Sequence, residues 1–301
     1  MKILLIGKSG QVAWELQRSL RPLGEVTAFD CPEIDLGRPE SLPAIVRQVK
    51  PRFIVNAAAY TAVDKAESEQ DVANRVNGDS VGVLAREAAA IGAWMVHYST
   101  DYVFDGTGTR PWTEADSTNP VNAYGRSKLL GEQQLAASGC RHLLFRTSWV
   151  YAARGHNFVR TILRLAAERD SLRVIADQHG VPTSAELLAD VTALALHQVR
   201  REGAAGDARA GTYHLVPRGE TTWHGIAVAA VEEALAAGAA LKCTPDRIAP
   251  IPTSEYPLPA VRPSNSLLSV DRVEQAFGIR CPDWRAHLTR TVTELLKGSN
   301  A

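Results

Sequence analysis

Directly behind the short apolar run Lys2 to Ile6 stands Gly7-Lys8-Ser9-Gly10-Gln11-Val12-Ala13. A glycine-rich turn that feeds a strand into a helix constrains what can be built around it, because glycine lets the backbone turn tightly and approach a pyrophosphate. The small Ala13 permits close helix–sheet packing, and the helix N-terminus offers unpaired N–H groups to anionic oxygens. Asp30 follows about twenty residues later, at the end of the next apolar run, where a carboxylate can accept hydrogen bonds from an adenosine ribose. Turn and acid together point to a dinucleotide. Asp30 repels a 2′-phosphate and favours NADH, whereas Lys8 and Arg38 attract one and favour NADPH, so both cofactors stay open.

The rest of the first half repeats a βαβ rhythm. Strands are expected at Lys2 to Ile6, Val26 to Phe29, Phe53 to Ala57, Met95 to Tyr98 and Leu143 to Phe145, and helices at Val12 to Arg21, Pro39 to Lys50 and Val81 to Ile91. The strands read as continuous apolar runs, as a parallel sheet covered on both faces requires. The expected class is α/β: a Rossmann-like doubly wound parallel sheet with a smaller C-terminal substrate-binding lobe. After Ser148, loops rich in Gly and Pro separate the elements. Ala185 to Val199 still reads as a covering helix and Tyr213 to Val216 as a buried strand, so the boundary is interleaved. Residues 1–155 plus 183–217 form the dinucleotide domain and 156–182 plus 218–301 the substrate domain, with Pro245 to Ser266 irregular.

Composition narrows the function. The chain of 301 residues is 45% hydrophobic, enough for a large core, and its 33 basic residues balance 33 acidic ones. That balance lacks the footprint of a nucleic-acid or anionic-membrane binder and favours a small-molecule partner. No apolar stretch approaches the ~18 residues of a membrane span, and the N-terminus does not resemble a signal peptide, so a cytoplasmic protein is expected. Cys31, Cys140, Cys243 and Cys281 are too scattered for a disulfide framework or a structural zinc site.

Two segments suggest chemistry. Tyr124 and Lys128 are neighbours on one face of a helix. Ser99-Thr100-Asp101 follows the fourth strand on the carboxyl edge of the sheet, where ligands of open α/β folds bind. The fit is to ketone reduction: a nicotinamide gives hydride to the carbonyl carbon while Tyr124 protonates the oxygen. Lys128 is expected to pull the phenol below its ordinary pKa of ~10 and to hold the nicotinamide ribose. Asp35 and Leu36 would sit beside the adenine. Ala57, Ala58 and Ala59 would let a ligand lie against the backbone, or are simply tight packing. His97 reads as a satisfied core histidine without a role, Asp64, Lys65 and Glu67 as solvent-facing, and Trp149 as either ordinary packing or a platform for a sugar face.

These motifs, Gly7-x-x-Gly10-x-x-Ala13, Asn56-Ala57-Ala58-Ala59, Ser99 to Phe104 and Tyr124-x-x-x-Lys128, resemble the extended short-chain dehydrogenase/reductase family. Ala59 to Glu67, Arg146 to Tyr151 and Arg262-Pro263-Ser264-Asn265-Ser266 look like its dTDP-4-dehydrorhamnose reductase branch, with the likeness spread over nearly the whole chain. The resemblance implies NADPH- or NADH-dependent reduction of the 4-keto group of dTDP-4-dehydro-6-deoxy-L-mannose, the last step of dTDP-L-rhamnose synthesis. It makes Tyr124 the proton donor, Lys128 its electrostatic partner and Thr100 the hydroxyl that orients the carbonyl or tunes Tyr124. Thr100, Asp101 and Trp149 fall where the family meets the sugar nucleotide, with Arg262 and Asn265 in the same set. Gly10, Gln11, Val12, Asp30, Asp35, Leu36, Ala59, Tyr60 and Thr61 match cofactor-contacting positions, and Asn77 an asparagine that often completes the catalytic set. Ala13 departs from the glycine commonest at its position. Some members dimerise around Mg²⁺, and Glu15, Glu186 and Glu294 match those ligands, so a homodimer with an interface Mg²⁺ is a further expectation. The family also resembles the methionine adenosyltransferase β-subunit, a noncatalytic NADP-binding regulator, but this chain keeps Tyr124, Lys128 and Thr100 together. Dehydratases of this fold usually carry Thr-Asp-Glu, whereas Thr100-Asp101-Tyr102 has a single acid, which favours simple reduction.

Overall fold

The computed structural model describes residues 1–298. The chain opens with β1 (Lys2–Ile6), α1 (Gln11–Ser19), β2 (Glu25–Phe29), α2 (Leu42–Val49) and β3 (Phe53–Asn56). Next come α3 (Val63–Ala66), α4 (Gln70–Asn74), a π-helical turn (Arg75–Asp79), α5 (Ser80–Ala90), β4 (Trp94–Thr100), α6 (Ala123–Ala137) and β5 (Arg141–Thr147). Beyond them lie β6 (Val150–Tyr151), α7 (Phe158–Glu168), β7 (Leu172–Ile175), β8 (His179–Gly180), β9 (Thr183–Ser184) and α8 (Ala185–Glu202). The last elements are β10 (Gly211–His214), β11 (Thr221–Thr222), α9 (Trp223–Ala236), β12 (Ile248–Ile251), α10 (Asp271–Phe277) and α11 (Trp284–Gly298).

Six strands form one sheet in the order β10-β5-β4-β3-β1-β2, and every pairing in it is parallel. Side chains alternate across it. Ile3, Leu5, Phe53 and Val55 pack with Ala13 and Leu16 of α1 and Leu188 of α8 on one face. Leu4, Ile6 and Ile54 pack with Leu42 and Val46 of α2 and Leu84 of α5 on the other. The strand order reverses beside β1, so the carboxyl ends of β1, β3 and β4 frame the crevice in which this architecture binds ligands.

A separate apolar cluster of Ile162, Ala166, Leu172, Val174, Ala227, Val231, Cys243 and Ile248 joins α7, β7, α9 and β12. The segment expected to be irregular, Pro245 to Ser266, contains β12, which pairs in parallel with β7. Pro250 is tolerated there because a two-stranded ribbon has free edges. The last strand of the main sheet spans Gly211–His214, earlier than the Tyr213 to Val216 apolar run, although Leu215 N still donates to Arg146 O. No helix among the described residues is long and apolar enough to cross a membrane.

Candidate active site

The glycine turn is built as its residues dictate. Gly7 sits at φ +96°, and a Cβ on it would lie 2.9 Å from Ala58 N, so glycine is needed both for the left-handed turn and for the close pass of the β3–α3 segment. Gly10 caps α1 without any side-chain hydrogen bond, leaving the first N–H groups of the helix open to an anion. These groups fit a dinucleotide's phosphates. Asp30 accepts from Ser9 N at 2.9 Å and from Ser9 Oγ. Burial alone would raise its pKa, but the Ser9 and Cys31 hydrogen bonds outweigh it and hold the carboxyl below its usual value. Ser9 is a partner that the motif alone did not single out.

Asp35 Oδ1 accepts from Gly37 N at 2.8 Å, while its other oxygen lies 3.5 Å from Arg38, so Arg38 is not a free cation. Leu36 is buried, and its carbonyl accepts from Ser80 Oγ at 2.6 Å. Gln11 Oε1 accepts from Asn157 Nδ2 at 2.8 Å, and Asn157 caps α7, so the turn is tied to the smaller lobe. Val12 packs against the larger core and Ala57 follows β3 with its N–H on Ile6 O at 3.0 Å. Ala59 and Thr61 flank Tyr60, whose hydroxyl donates to Glu69 at 2.6 Å and is pushed up to about 12 chiefly by that bond. Asn77, on the π-helical turn, accepts from Tyr60 N (2.9 Å) and donates to Tyr60 O (3.0 Å) and Ser127 Oγ (2.9 Å). It clamps the Tyr60 backbone to α6, and both hydrogens of its carboxamide are taken.

Tyr124, Thr100 and Asp101 meet at the carboxyl end of β4. Burial raises the Tyr124 phenol above its ordinary value, the Asp101 charge raises it further, and the polar Thr100 side chain draws it partly back. Lys128, the expected partner of the phenol, is fully buried one turn further along α6. Its Nζ donates to Tyr98 O at 2.7 Å and lies 3.3 Å from His97 Nε2. Burial lowers Lys128 to about 8, against an opposing pull from Glu132. His97, to which no role was given, is the floor of that ammonium; burial and Lys128 hold it neutral, and Asn56 meets its other nitrogen at 3.3 Å.

Asp101 is 3% exposed and accepts from Thr100 Oγ1 at 3.0 Å. Burial pushes it up to about 7. Thr100 also accepts from Tyr102 N at 3.1 Å, and the Tyr102 ring packs edge-on against Tyr124 with centroids 5.8 Å apart. From Tyr102 a cleft of ≈ 660 Å³ runs into the smaller lobe past Phe158, Trp223, Tyr256 and Arg262. Arg262 is gripped by Asp64 through two bonds of 2.9 and 2.8 Å, so Asp64 is no idle solvent-facing acid. Trp149 stacks on Trp223 at 4.1 Å and, for a non-glycine residue, holds an unusual φ of +48°. The rings' packing supports that strain, and Trp223 had no sequence signal. Asn265 is buried, with Nδ2 donating to Arg110 O (2.9 Å) and Oδ1 accepting from Leu267 N (3.0 Å), so its side chain staples loops.

The metal expectation is not supported. Among the described residues no group of three or more His, Cys, Asp or Glu is placed to hold a metal ion. Glu15 feels the Glu186 and Glu294 charges and is raised, mainly by burial, but it pairs with Arg18 at 3.4 Å, and Glu186 pairs with Arg290 at 3.1 Å. Arginines thus already neutralise two of the three carboxylates.

Comparison with known proteins matches this geometry. The family model described as RmlD substrate binding domain matches residues 1–297. A dTDP-4-dehydrorhamnose reductase of Burkholderia thailandensis is 54% identical, covering 98% of this chain and 99% of that one. The crystal structure of a dTDP-4-dehydrorhamnose reductase from Clostridium acetobutylicum superposes with a TM-score of 0.88 at 34% identity, covering 99% and 100% of the two chains. A Bacillus anthracis dTDP-4-dehydrorhamnose reductase in complex with NADP superposes with a TM-score of 0.86 at 30% identity over 97% and 99%. The chain belongs to the RmlD substrate-binding-domain family, the NAD(P)-dependent oxidoreductases of the dTDP-4-dehydrorhamnose reductase type.

Proposed function

We propose that this protein reduces the 4-keto group of dTDP-4-dehydro-6-deoxy-L-mannose to give dTDP-L-rhamnose. The observation that carries the reading is that Tyr102, which lines the cleft, packs edge-on against Tyr124 with centroids 5.8 Å apart and donates its N–H to Thr100 Oγ1 at the carboxyl end of β4. A nicotinamide cofactor, when bound, supplies hydride to the carbonyl carbon. Gly7, Gly10, Gln11 and Val12 would receive its pyrophosphate at the open N-terminus of α1, with Asp30 toward the adenosine ribose. Asp35 and Leu36 would border the adenine, and Ala57 to Thr61 the nicotinamide side. Residues 1–155 plus 183–217 then carry the cofactor, and 156–182 plus 218–301 carry the sugar nucleotide.

Tyr124 donates the proton. A phenol whose pKa is raised stays protonated at neutral pH, which a reduction needs, and a developing alkoxide is basic enough to take that proton. Thr100 orients the carbonyl oxygen beside it. Buried Lys128 holds positive charge under the site without titrating the phenol itself. Trp149 and Trp223 form an apolar wall for the deoxysugar, and Arg262, held in place by Asp64, faces the cleft with charge suited to a diphosphate.

The test is oxidation of NADPH and of NADH, followed at the nicotinamide absorbance, with enzymatically prepared dTDP-4-dehydro-6-deoxy-L-mannose. Rapid oxidation with dTDP-L-rhamnose as product is expected. Cofactor binding without oxidation of either would overturn the reading and favour a regulatory, noncatalytic role.

A further inference from the structure

Stacking holds two indoles face to face but leaves each free to turn and slide in the plane of contact, so a wall made of rings needs a polar handle to fix it. Trp223, which lines the cleft, has one: its Nε1 donates to Gln178 Oε1 at 3.0 Å. Phe158 meets the same ring edge-on with centroids 4.7 Å apart, and Trp149 stacks on it at 4.1 Å. The chain also leaves room for that second indole. A Cβ on Gly180 would lie 2.7 Å from Trp149 Cζ2, so the ring packs on bare backbone there.

Gln178 is itself held so that its oxygen faces the indole. It is 4% exposed, and its Nε2 donates to Thr253 Oγ1 at 3.0 Å. Thr253 in turn gives its hydroxyl hydrogen to Asp177 Oδ1 at 2.7 Å and its N–H to both Asp177 oxygens at 2.9 Å. Burial alone would raise the Asp177 pKa, but the Thr253 hydrogen bonds outweigh it and hold the carboxyl below its usual value, so Asp177 is a carboxylate that only accepts. With its one hydrogen spent there, the Thr253 hydroxyl must accept from Gln178. A turned carboxamide would set Nε2 against the indole donor and Oε1 against an oxygen with nothing to give. Donation therefore has a single direction at each step from Trp223 and Thr253. The strand that leads into Thr253 is fixed as well, because β12 pairs with β7 and Ala176 N donates to Ile251 O at 2.9 Å.

We propose that Gln178 is a positioning residue for the sugar nucleotide: it fixes the turn of Trp223 and, through the stack, of Trp149, and so sets the wall of the cleft. The assignment rests on the reductase reading above, in which that wall meets the deoxysugar. The single donor of Trp223 is spent on Gln178, so this indole offers a ligand its ring and no hydrogen bond. Without the carboxamide oxygen the buried indole N–H would lack a partner, and the ring would turn toward water or the ligand to find one.

Gln178→Met keeps the bulk and removes the acceptor. It should raise KM for dTDP-4-dehydro-6-deoxy-L-mannose by about tenfold, the worth of one buried donor left unpaired, with NADPH affinity unchanged. Trp223→Phe, which keeps a ring but has no donor, should also raise KM. In the Trp223→Phe background Gln178→Met should then add no further rise, because the two residues act through one bond. A spectroscopic readout is independent of turnover. Among the indole N–H resonances of the six tryptophans, the one lost in Trp223→Phe should be the one that moves in Gln178→Met. Should Gln178→Met fold poorly, Thr253→Val takes its place, since it frees the carboxamide and should move the same resonance. A folded variant with wild-type KM overturns the proposal, as do an unmoved Trp223 resonance, additive rises in the double variant, or an equal loss of NADPH affinity, which would mark a merely structural role. A wild type that oxidises neither cofactor overturns the reductase reading instead, and the indole resonance still decides whether Gln178 holds Trp223.

Discussion

Burial governs the chemistry of the residues at the end of β4, and Lys128 shows its cost. A lysine held at about 8 in the fold, against an ordinary 10.5, is disfavoured in its charged form. The unfolded chain binds the proton more tightly, so the penalty is fully present below about 8 and is relieved as pH climbs from there toward the unfolded value. Lys128→Met should therefore cut turnover by about 100-fold or more without lowering Tm, measured by a thermal melt beside an NADPH assay. A large drop in Tm would mean that the ammonium is a structural prop. The Tyr124 and Lys128 pair was legible from spacing because both sit on one helical face. That Lys128 turns to His97 was not, since a buried strand reads the same whichever neighbour its histidine meets. Asp64 was hidden for a similar reason: its partner Arg262 is far away in the chain.

At the scale of elements, the strands of the main sheet were legible because parallel strands covered on both faces read as apolar runs, and only their ends moved. β4 spans Trp94–Thr100 around the expected Met95 to Tyr98, which brings Thr100 into the ladder itself. The π-helical turn at Arg75–Asp79 left no periodic trace, yet it aims Asn77 between Tyr60 and Ser127. Tight helix packing depends on it, because a Cβ on Gly131 of α6 would run into the Asn77 carbonyl oxygen. Asn77→Ala would leave the Tyr60 backbone groups and Ser127 short of partners, at a cost of about 1–3 kcal/mol. Urea denaturation should register that loss, and a cofactor titration by protein fluorescence should show weaker NADPH binding. Unchanged binding would mean that the clamp does not shape the cofactor side.

Across the whole molecule, the doubly wound class was readable from rhythm alone, but the contacts between distant segments were not, because they join residues far apart in sequence. Gln11 reaches Asn157, the cap of α7, and Asp64 beyond β3 holds Arg262 at the cleft. Asp64→Asn should loosen Arg262 and raise KM for the sugar nucleotide by about tenfold, the worth of one charge-assisted bond, while NADPH affinity stays unchanged. Equal losses for both ligands would instead show a general disturbance of the lobes. The buried pair of Arg146 on β5 with Glu132 on α6, at 2.6 Å, fixes the helix that carries Tyr124. The account as a whole rests on that phenol as acid. Its most direct test is the single-turnover rate of NADPH oxidation with the dTDP-4-keto sugar in wild type and Tyr124→Phe, measured at matched cofactor occupancy. A loss of about 100-fold or more with cofactor binding intact is predicted; a Phe variant that reduces the ketone at the wild-type rate would contradict it.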